Sequence, residues 1–99
     1  MEKNYKEKAY DLICKYSFGD KERKRNWDMY CMIEEVCGKK ANKYYNALRR
    51  NGINSSEALT NLFLDLTDED LRKSLRDIGP VGISQLRECV NYSLDLIPF

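Results

Sequence analysis

Basic and amide side chains recur at helical spacing in the middle of the chain. Lys43, Asn46 and Arg50 lie three and four residues apart, and Lys39 precedes Lys43 by four. At about 100° per residue these positions share one face of a helix, opposite an apolar stripe. Side chains of these types donate hydrogen bonds to phosphate oxygens. The spacing therefore predicts an outward row that can hold the phosphate backbone of a nucleic acid.

A second candidate contact is the turn from Gly79 to Gly82, which precedes the last predicted helix. Gly79 allows a positive φ or the close approach of another molecule, and Pro80 at the first helical turn loses no hydrogen bond. The first amides of this helix have no intrahelical acceptor, and together with the helix dipole they favour a phosphate. A Gly-Pro turn before a helix is also common punctuation, so both interpretations stay open.

No residue pattern in the chain proposes a reaction. The sequence has no histidine, which removes the side chain that titrates near neutral pH and the commonest nitrogen ligand of zinc. Asp68, Glu69 and Asp70 suggest a divalent cation, but the helix dipole alone favours acids in a first turn. We therefore expect a protein that is not an enzyme, with no catalytic residue, no metal and no cofactor.

The cysteines predict free thiols rather than a disulfide framework. They are Cys14, Cys31, Cys37 and Cys89, and the closest two are six residues apart. Neither a zinc ribbon nor a thioredoxin motif fits this spacing. Two disulfides are compatible with the even number, but a chain rich in Lys and Glu without a secretory signal is typical of a reducing cytosol.

Length and composition predict one soluble, cytoplasmic domain. Ninety-nine residues suffice for a single core, and 42% hydrophobic with 33% charged residues argues against disorder. No apolar run approaches the roughly 18 residues of a membrane span, so we expect no membrane association. Residues 1–56 carry 13 basic and 8 acidic residues, whereas 57–99 carry 4 and 8, giving +5 and −4. Any basic surface must therefore be local.

Apolar residues three and four apart predict helices along the whole chain and no strands. The predicted helices span about 3–16, 21–36, 40–51, 55–63, 67–76 and 80–94. The second has two possible beginnings, at about Lys21 or only near Asn26, after the highly charged segment 21–25. In the first of them, Tyr5, Ala9, Leu12, Ile13 and Tyr16 share the face predicted to point inward. The predicted N-caps of later helices are Asp20, then Asn54 or Ser55, then Thr67.

Four motifs follow one another between residues 43 and 92. They are Asn46-Ala-Leu-Arg-Arg-Asn-Gly-Ile53, Ser56-Glu-Ala-Leu-Thr60, Leu66-Thr-Asp-Glu-Asp-Leu71, and Ile78-Gly-Pro followed by Ile83-Ser-Gln-Leu86. In this order and spacing the stretch resembles the C-terminal domain of the bacterial RNA polymerase alpha subunit, a helical module built around a helix-hairpin-helix. The resemblance covers about half of the chain.

The resemblance implies a compact all-α domain of five to six helices. Its helix-hairpin-helix, SAM-like core would span 39–97, after an N-terminal helical extension at 1–38. In the family, a basic residue, an asparagine and the hairpin glycine with the two residues that follow it grip the DNA backbone along the minor groove. With Arg50 from the outward row, the predicted nucleic-acid-binding residues are Lys43, Asn46, Arg50, Gly79, Val81 and Gly82. The implied partner is duplex DNA, in a transcription-related role.

The chain departs from the family at the hairpin. Val81 and Gly82 stand where the family usually carries Lys and then Ser, and Gln85 stands at a family acid. Asp77, beside the turn, would repel a phosphate unless it points away. About 40 residues also precede the match, forming two helices that the family module does not carry.

The alternative prediction is a protein-interaction module of the same fold that does not bind DNA. The sequence pI of about 7.6 and the missing Lys favour it, since nucleic-acid affinity depends mainly on attraction to phosphate. Aromatic residues that would support this alternative by remaining exposed are Tyr5, Tyr16, Trp27 and Phe99.

Overall fold

A computed structural model describes residues 4–95, and this part of the chain is helical with no strand. Its six α-helices are α1 (Tyr5–Tyr16), α2 (Gly19–Cys37), α3 (Ala41–Arg50), α4 (Ser56–Asp65), α5 (Asp68–Ser74) and α6 (Pro80–Asp95), with a 3₁₀ turn at Gly38–Lys40. The all-α prediction is confirmed. The predicted first helical residues, the predicted end of the core at 97, and Phe99 lie outside the described residues.

Side-chain caps set the beginnings of α4 and α5 as predicted. Ser55 Oγ accepts a hydrogen bond from the Ala58 amide at 3.0 Å, and Thr67 Oγ1 accepts one from the Asp70 amide at 3.2 Å. These oxygens satisfy amides that have no acceptor within the helix. Gly52, just after the end of α3, has a φ of 82°, a conformation in which glycine commonly ends a helix.

The predicted beginning of α2 is wrong. Phe18 is its N-cap and offers no side-chain acceptor, whereas Asp20 lies inside the first turn. Asp20 pairs there with Arg23 at 2.6 Å, and the Phe18 amide donates to Glu22 Oε2 at 3.1 Å. The highly charged segment is therefore helical from its first residues, since these side chains pair with one another along an exposed face.

Helix α2 lies at the centre of the core and contacts α1, α3, α4 and α6. Its Met29, Tyr30 and Ile33 are fully buried. The predicted N-terminal extension at 1–38 includes α2, yet α2 packs directly against α3, α4 and α6 of the predicted core. Other core side chains from each remaining helix include Ala9, Leu48, Phe63, Leu71 and Leu86.

Helix α1 buries a narrower stripe than predicted. Ala9 and Ile13, four residues apart, are buried against the core. Leu12 and Tyr16 are instead 55% and 65% exposed, so their predicted inward orientation is wrong. The reason is that α1 packs mainly along α2, and one neighbouring helix covers only part of a helix surface.

Arg87 fastens α6 to α4 and to the beginning of α5. Its Nη1 donates to the Phe63 carbonyl and its Nη2 to the Leu66 carbonyl, both at 3.0 Å, while Nε pairs with Asp68 at 2.5 Å. The guanidinium thereby satisfies carbonyls that the end of a helix leaves without partners. This contact holds the helices that flank the turn before α6 in a fixed arrangement.

The four cysteines are free thiols. The sulfur atoms of Cys37 and Cys89 are 3.6 Å apart, well beyond the roughly 2.05 Å of a disulfide. Burial raises the pKa of the Cys89 thiol, so this residue behaves as a small apolar core side chain.

Between residues 4 and 95, no helix is both long and apolar enough to cross a bilayer.

Candidate nucleic-acid interface

The outward row predicted on α3 is exposed. Lys43, Asn46 and Arg50 all reach solvent, as does Lys39 in the preceding 3₁₀ turn. The apolar positions of α3 include Ala41, Tyr44 and Leu48, which are buried, and this is why the polar positions face outward. Sequence periodicity therefore predicts both faces of this helix correctly.

The end of α3 is tied to the turn that precedes α6. Asn51 Nδ2 donates to the Arg76 carbonyl, and the Arg76 amide donates to Asn51 Oδ1, both at 2.9 Å. Next to this pair of bonds, Arg50 Nε lies 3.6 Å from Asp77 Oδ2. These contacts join segments about 25 residues apart in sequence and bring the end of α3, with Arg50, next to the turn.

A second joint connects α3 to the first turns of α6. The Tyr44 hydroxyl donates to Gln85 Oε1 at 2.7 Å, and burial raises the pKa of Tyr44, which keeps the hydroxyl protonated as a donor. A Cβ on Gly82 would lie 2.8 Å from Ile78 Cγ2 and 3.0 Å from Tyr44 Cε1. Gly82 is buried, and a larger residue here would force the Ile78 or Tyr44 side chain to shift.

The turn itself differs from the prediction. Gly79 does not have a positive φ; Asp77 does, at 65°. Aspartate is one of the few residues other than glycine that visits this conformation. Gly79 is exposed and has open space where a Cβ would stand. Its carbonyl accepts a hydrogen bond from the Ile83 amide at 3.0 Å. The amides of Val81 and Gly82 precede that first helical bond and have no intrahelical acceptor.

The six predicted contact residues thus fall into three groups. Lys43, Asn46 and Gly79 are exposed, on elements that the two joints hold together. Arg50 is exposed but shares its charge with Asp77. Val81 presents an apolar side chain that is 66% exposed, while the buried Gly82 packs against Tyr44 and can offer only backbone.

Sequence reasoning missed the two joints. Asn51 reads as the residue before a helix-ending glycine, and its amide does donate to the Ala47 carbonyl at 2.7 Å. Nothing local indicates that the same side chain also holds Arg76. Likewise Tyr44 belongs to the apolar stripe, and its bond to Gln85 spans 41 residues. Such pairings depend on tertiary packing and leave no periodic signal in one sequence.

The acidic side chains at the beginning of α5 are paired with other residues of the protein. Asp68 pairs with Arg87, Glu69 lies 3.5 Å from Lys73, and Asp70 Oδ2 accepts from Thr67 Oγ1 at 3.0 Å. Within the described part of the chain, no group of three or more His, Cys, Asp or Glu residues is arranged to hold a metal ion.

Comparison with known proteins gives no match to a protein family, to a curated protein or to a solved structure. The resemblance to the polymerase alpha C-terminal domain therefore rests on the motifs quoted from the sequence. Any function of the candidate interface must therefore be inferred from its own residues.

Proposed function

We propose that this protein is a non-enzymatic module that binds the backbone of duplex DNA. Lys43 and Asn46 on α3 would contact phosphates, and the amides that follow Gly79 at the beginning of α6 would contact a neighbouring phosphate. The observation that carries this proposal is the pair of joints, Asn51 to Arg76 and Tyr44 to Gln85. They connect α3, which carries a cationic, amide-bearing row, to α6 and to the segment before its N-terminus, and such a row and a helix N-terminus both favour anions.

We further propose that α5, the following turn and α6 form the hairpin of a helix-hairpin-helix, in line with the sequence resemblance. Supporting contacts are those between α5 and α6 and the short connection from Leu75 to Gly79. In this arrangement the two halves of the contact surface come from different parts of the chain. A transcription-related role follows from the same resemblance.

The chemistry of the surface indicates modest, weakly sequence-specific binding. Contacts to phosphate position a protein on a duplex without reading base edges. Arg50 adds less than a lone arginine because Asp77 lies 3.6 Å from its Nε, and Val81 brings no charge. With few cationic contacts, affinity should fall as salt rises, with a slope that counts the phosphates neutralised.

Fluorescence anisotropy with a labelled duplex, between about 20 and about 200 mM salt, tests this proposal. Lys43→Ala should weaken binding to duplexes of different sequence alike and reduce the salt slope by about 1. Lys8→Ala, which removes the same charge from an exposed position on α1, is the matched control and should change binding much less. Absence of binding at low salt, or equal losses in both variants, would contradict the proposal.

A second candidate function, protein binding, is favoured by apolar side chains exposed along α1 and the turn after it. These side chains are Tyr10, Leu12, Tyr16 and Phe18. Leu12 and Tyr16, four residues apart, share one side of α1, and exposed apolar patches mark interaction sites in other proteins. The same titration separates the candidates, because a module that binds only proteins leaves duplex anisotropy unchanged at every salt concentration.

A further inference from the structure

A cavity of about 300 Å³ lies between α1, α2 and α3. Its volume is at the small end of the range for small-molecule pockets. Leu12, Ile13 and Tyr16 provide apolar lining from α1, and the exposed positions of Leu12 and Tyr16 open it to solvent. On α3 it uses Tyr45, next in sequence to the Tyr44 that packs against α6, and is thus separate from the joint at Gly82.

The polar lining of the cavity carries a positive charge. Arg49 contributes a guanidinium, and no acidic residue is among the lining side chains. Asn26, which is only 2% exposed, accepts a hydrogen bond from Arg49 Nη1 through Oδ1 and donates to Ser17 Oγ at 3.0 Å. A guanidinium has five N–H donors, and Asn26 takes one of them. A ligand that complements this positive charge is an anion. A carboxylate fits best, because its two oxygens match the paired N–H donors of a guanidinium.

Aromatic side chains close the inner side of the cavity. Tyr30 is among its lining residues and is fully buried. Its ring is fixed between Trp27, stacked at 5.4 Å between centroids, and Tyr45, edge-on at 5.7 Å. The Tyr30 hydroxyl has no hydrogen-bond partner among residues 4–95, but it is not accessible from the cavity. The charge of the site therefore comes from Arg49.

We propose that this cavity binds a small organic carboxylate with an apolar body. The carboxylate lies against the Arg49 guanidinium, and the apolar body packs on Leu12, Ile13 and Tyr16. Asn46 lines this cavity as well as belonging to the proposed duplex surface, whereas Lys43 and the turn before α6 do not line it. Lys43→Ala should therefore weaken duplex binding and leave binding of the carboxylate unchanged, which distinguishes failure of one proposal from failure of the other.

Titration with 3-phenylpropionate, followed by amide chemical shifts, tests the site. We expect a dissociation constant in the low millimolar range or tighter, with shifts concentrated at Ile13, Asn26 and Arg49. The neutral analogue 3-phenylpropanol has the same apolar body and should bind at least about fivefold more weakly, because Arg49 favours the anion. Equal binding of the two compounds, shifts elsewhere, or no shift at about 10 mM would overturn the proposal.

Variants separate binding from folding. Leu12→Glu places a negative charge at the exposed rim and should weaken 3-phenylpropionate binding about tenfold, whereas Leu64→Glu, at a similarly exposed leucine on α4, should not. Tyr30→Phe removes a hydroxyl that the cavity does not reach and keeps the ring, so it should bind 3-phenylpropionate as the unchanged protein does. If both leucine variants bind as the unchanged protein does, or if Tyr30→Phe weakens binding, the assigned contacts are wrong.

Discussion

Two faces of α3 are packed in opposite ways. Towards α6, Gly82 is packed so closely that an added methyl group would lie 3.0 Å from Tyr44 Cε1 and 2.8 Å from Ile78 Cγ2, so these side chains would have to shift. Towards α1, the next residue, Tyr45, lines a cavity of about 300 Å³ where polar side chains complete the packing. Tyr44 and Tyr45 are about 100° apart around the axis of α3. One short helix can therefore form a tight joint on one side, against Gly82 of α6, and line an open site on the other.

The cavity side depends on hydrogen bonds more than on close packing, so breaking its buried polar network should have the largest effect. Asn26→Ala removes the acceptor for Arg49 and the donor for Ser17. We expect a loss of about 2 to 3 kcal/mol in the free energy of unfolding, since one of these bonds involves a charged donor. Urea unfolding measures it. Asn46→Ala, at an exposed asparagine on α3, is the control and should cost less than about 0.5 kcal/mol.

The joint on the α6 side depends on close packing. Gly82→Ala introduces a Cβ 2.8 Å from Ile78 Cγ2, and we expect a net loss of about 1 to 2 kcal/mol, because overpacking outweighs the better helix propensity of alanine. Gly79→Ala meets nothing within 4 Å and should cost less. If the two glycine variants are equally stable in urea, the tight joint does not contribute as described.

Alkaline pH tests the buried tyrosine beside the cavity. Burial raises the pKa of Tyr30 to about 12 from its ordinary 10.0, so the fold favours the neutral hydroxyl. This contribution is intact below pH 10 and is lost as pH rises towards about 12. Between about pH 9 and about pH 11 the protein should lose about 1 kcal/mol that Tyr30→Phe does not lose. Tyr16→Phe, at an exposed tyrosine, should follow the unchanged protein; a Tyr30→Phe curve parallel to it would contradict the burial argument.

The smallest expected effect on stability concerns the ion pair beside the turn. Asp77→Asn keeps a residue that tolerates the positive φ and releases Arg50 from its partner. Because both side chains are exposed, stability should change by less than about 0.5 kcal/mol. Duplex affinity at low salt should rise about threefold, since a negative charge leaves the surface and a cation is released. Unchanged or weaker duplex binding would place Asp77 and Arg50 outside the contact surface.

Periodicity and capping chemistry predicted much of the fold. The predicted stripe of Ala41, Tyr44, Tyr45 and Leu48 defined α3 and its outward row, although Tyr45 is only partly buried, and Ser55 and Thr67 marked the beginnings of α4 and α5. These signals are local, because a helix repeats every 3.6 residues and a cap acts within its first turn.

What the sequence could not provide is the set of contacts between distant segments. Leu12 and Tyr16 have the right spacing for burial, but only packing decides that α1 buries Ala9 and Ile13 instead. The sequence predicts Gly82 as a residue of an exposed turn, whereas in the structure it is buried against Tyr44. The exposed residues of the candidate interface were therefore predictable, whereas the joints that hold them together, and the cavity beside Arg49, were not.

The central claim is that the outward row of α3 and the beginning of α6 form one duplex-binding surface. Amide chemical shifts recorded while duplex DNA is added at low salt test it most directly. The account predicts shifts that cluster at Lys43, Asn46 and Gly79 and shrink together as salt is added. Shifts confined to α1, or shifts at Lys43 without any at Gly79, would contradict it.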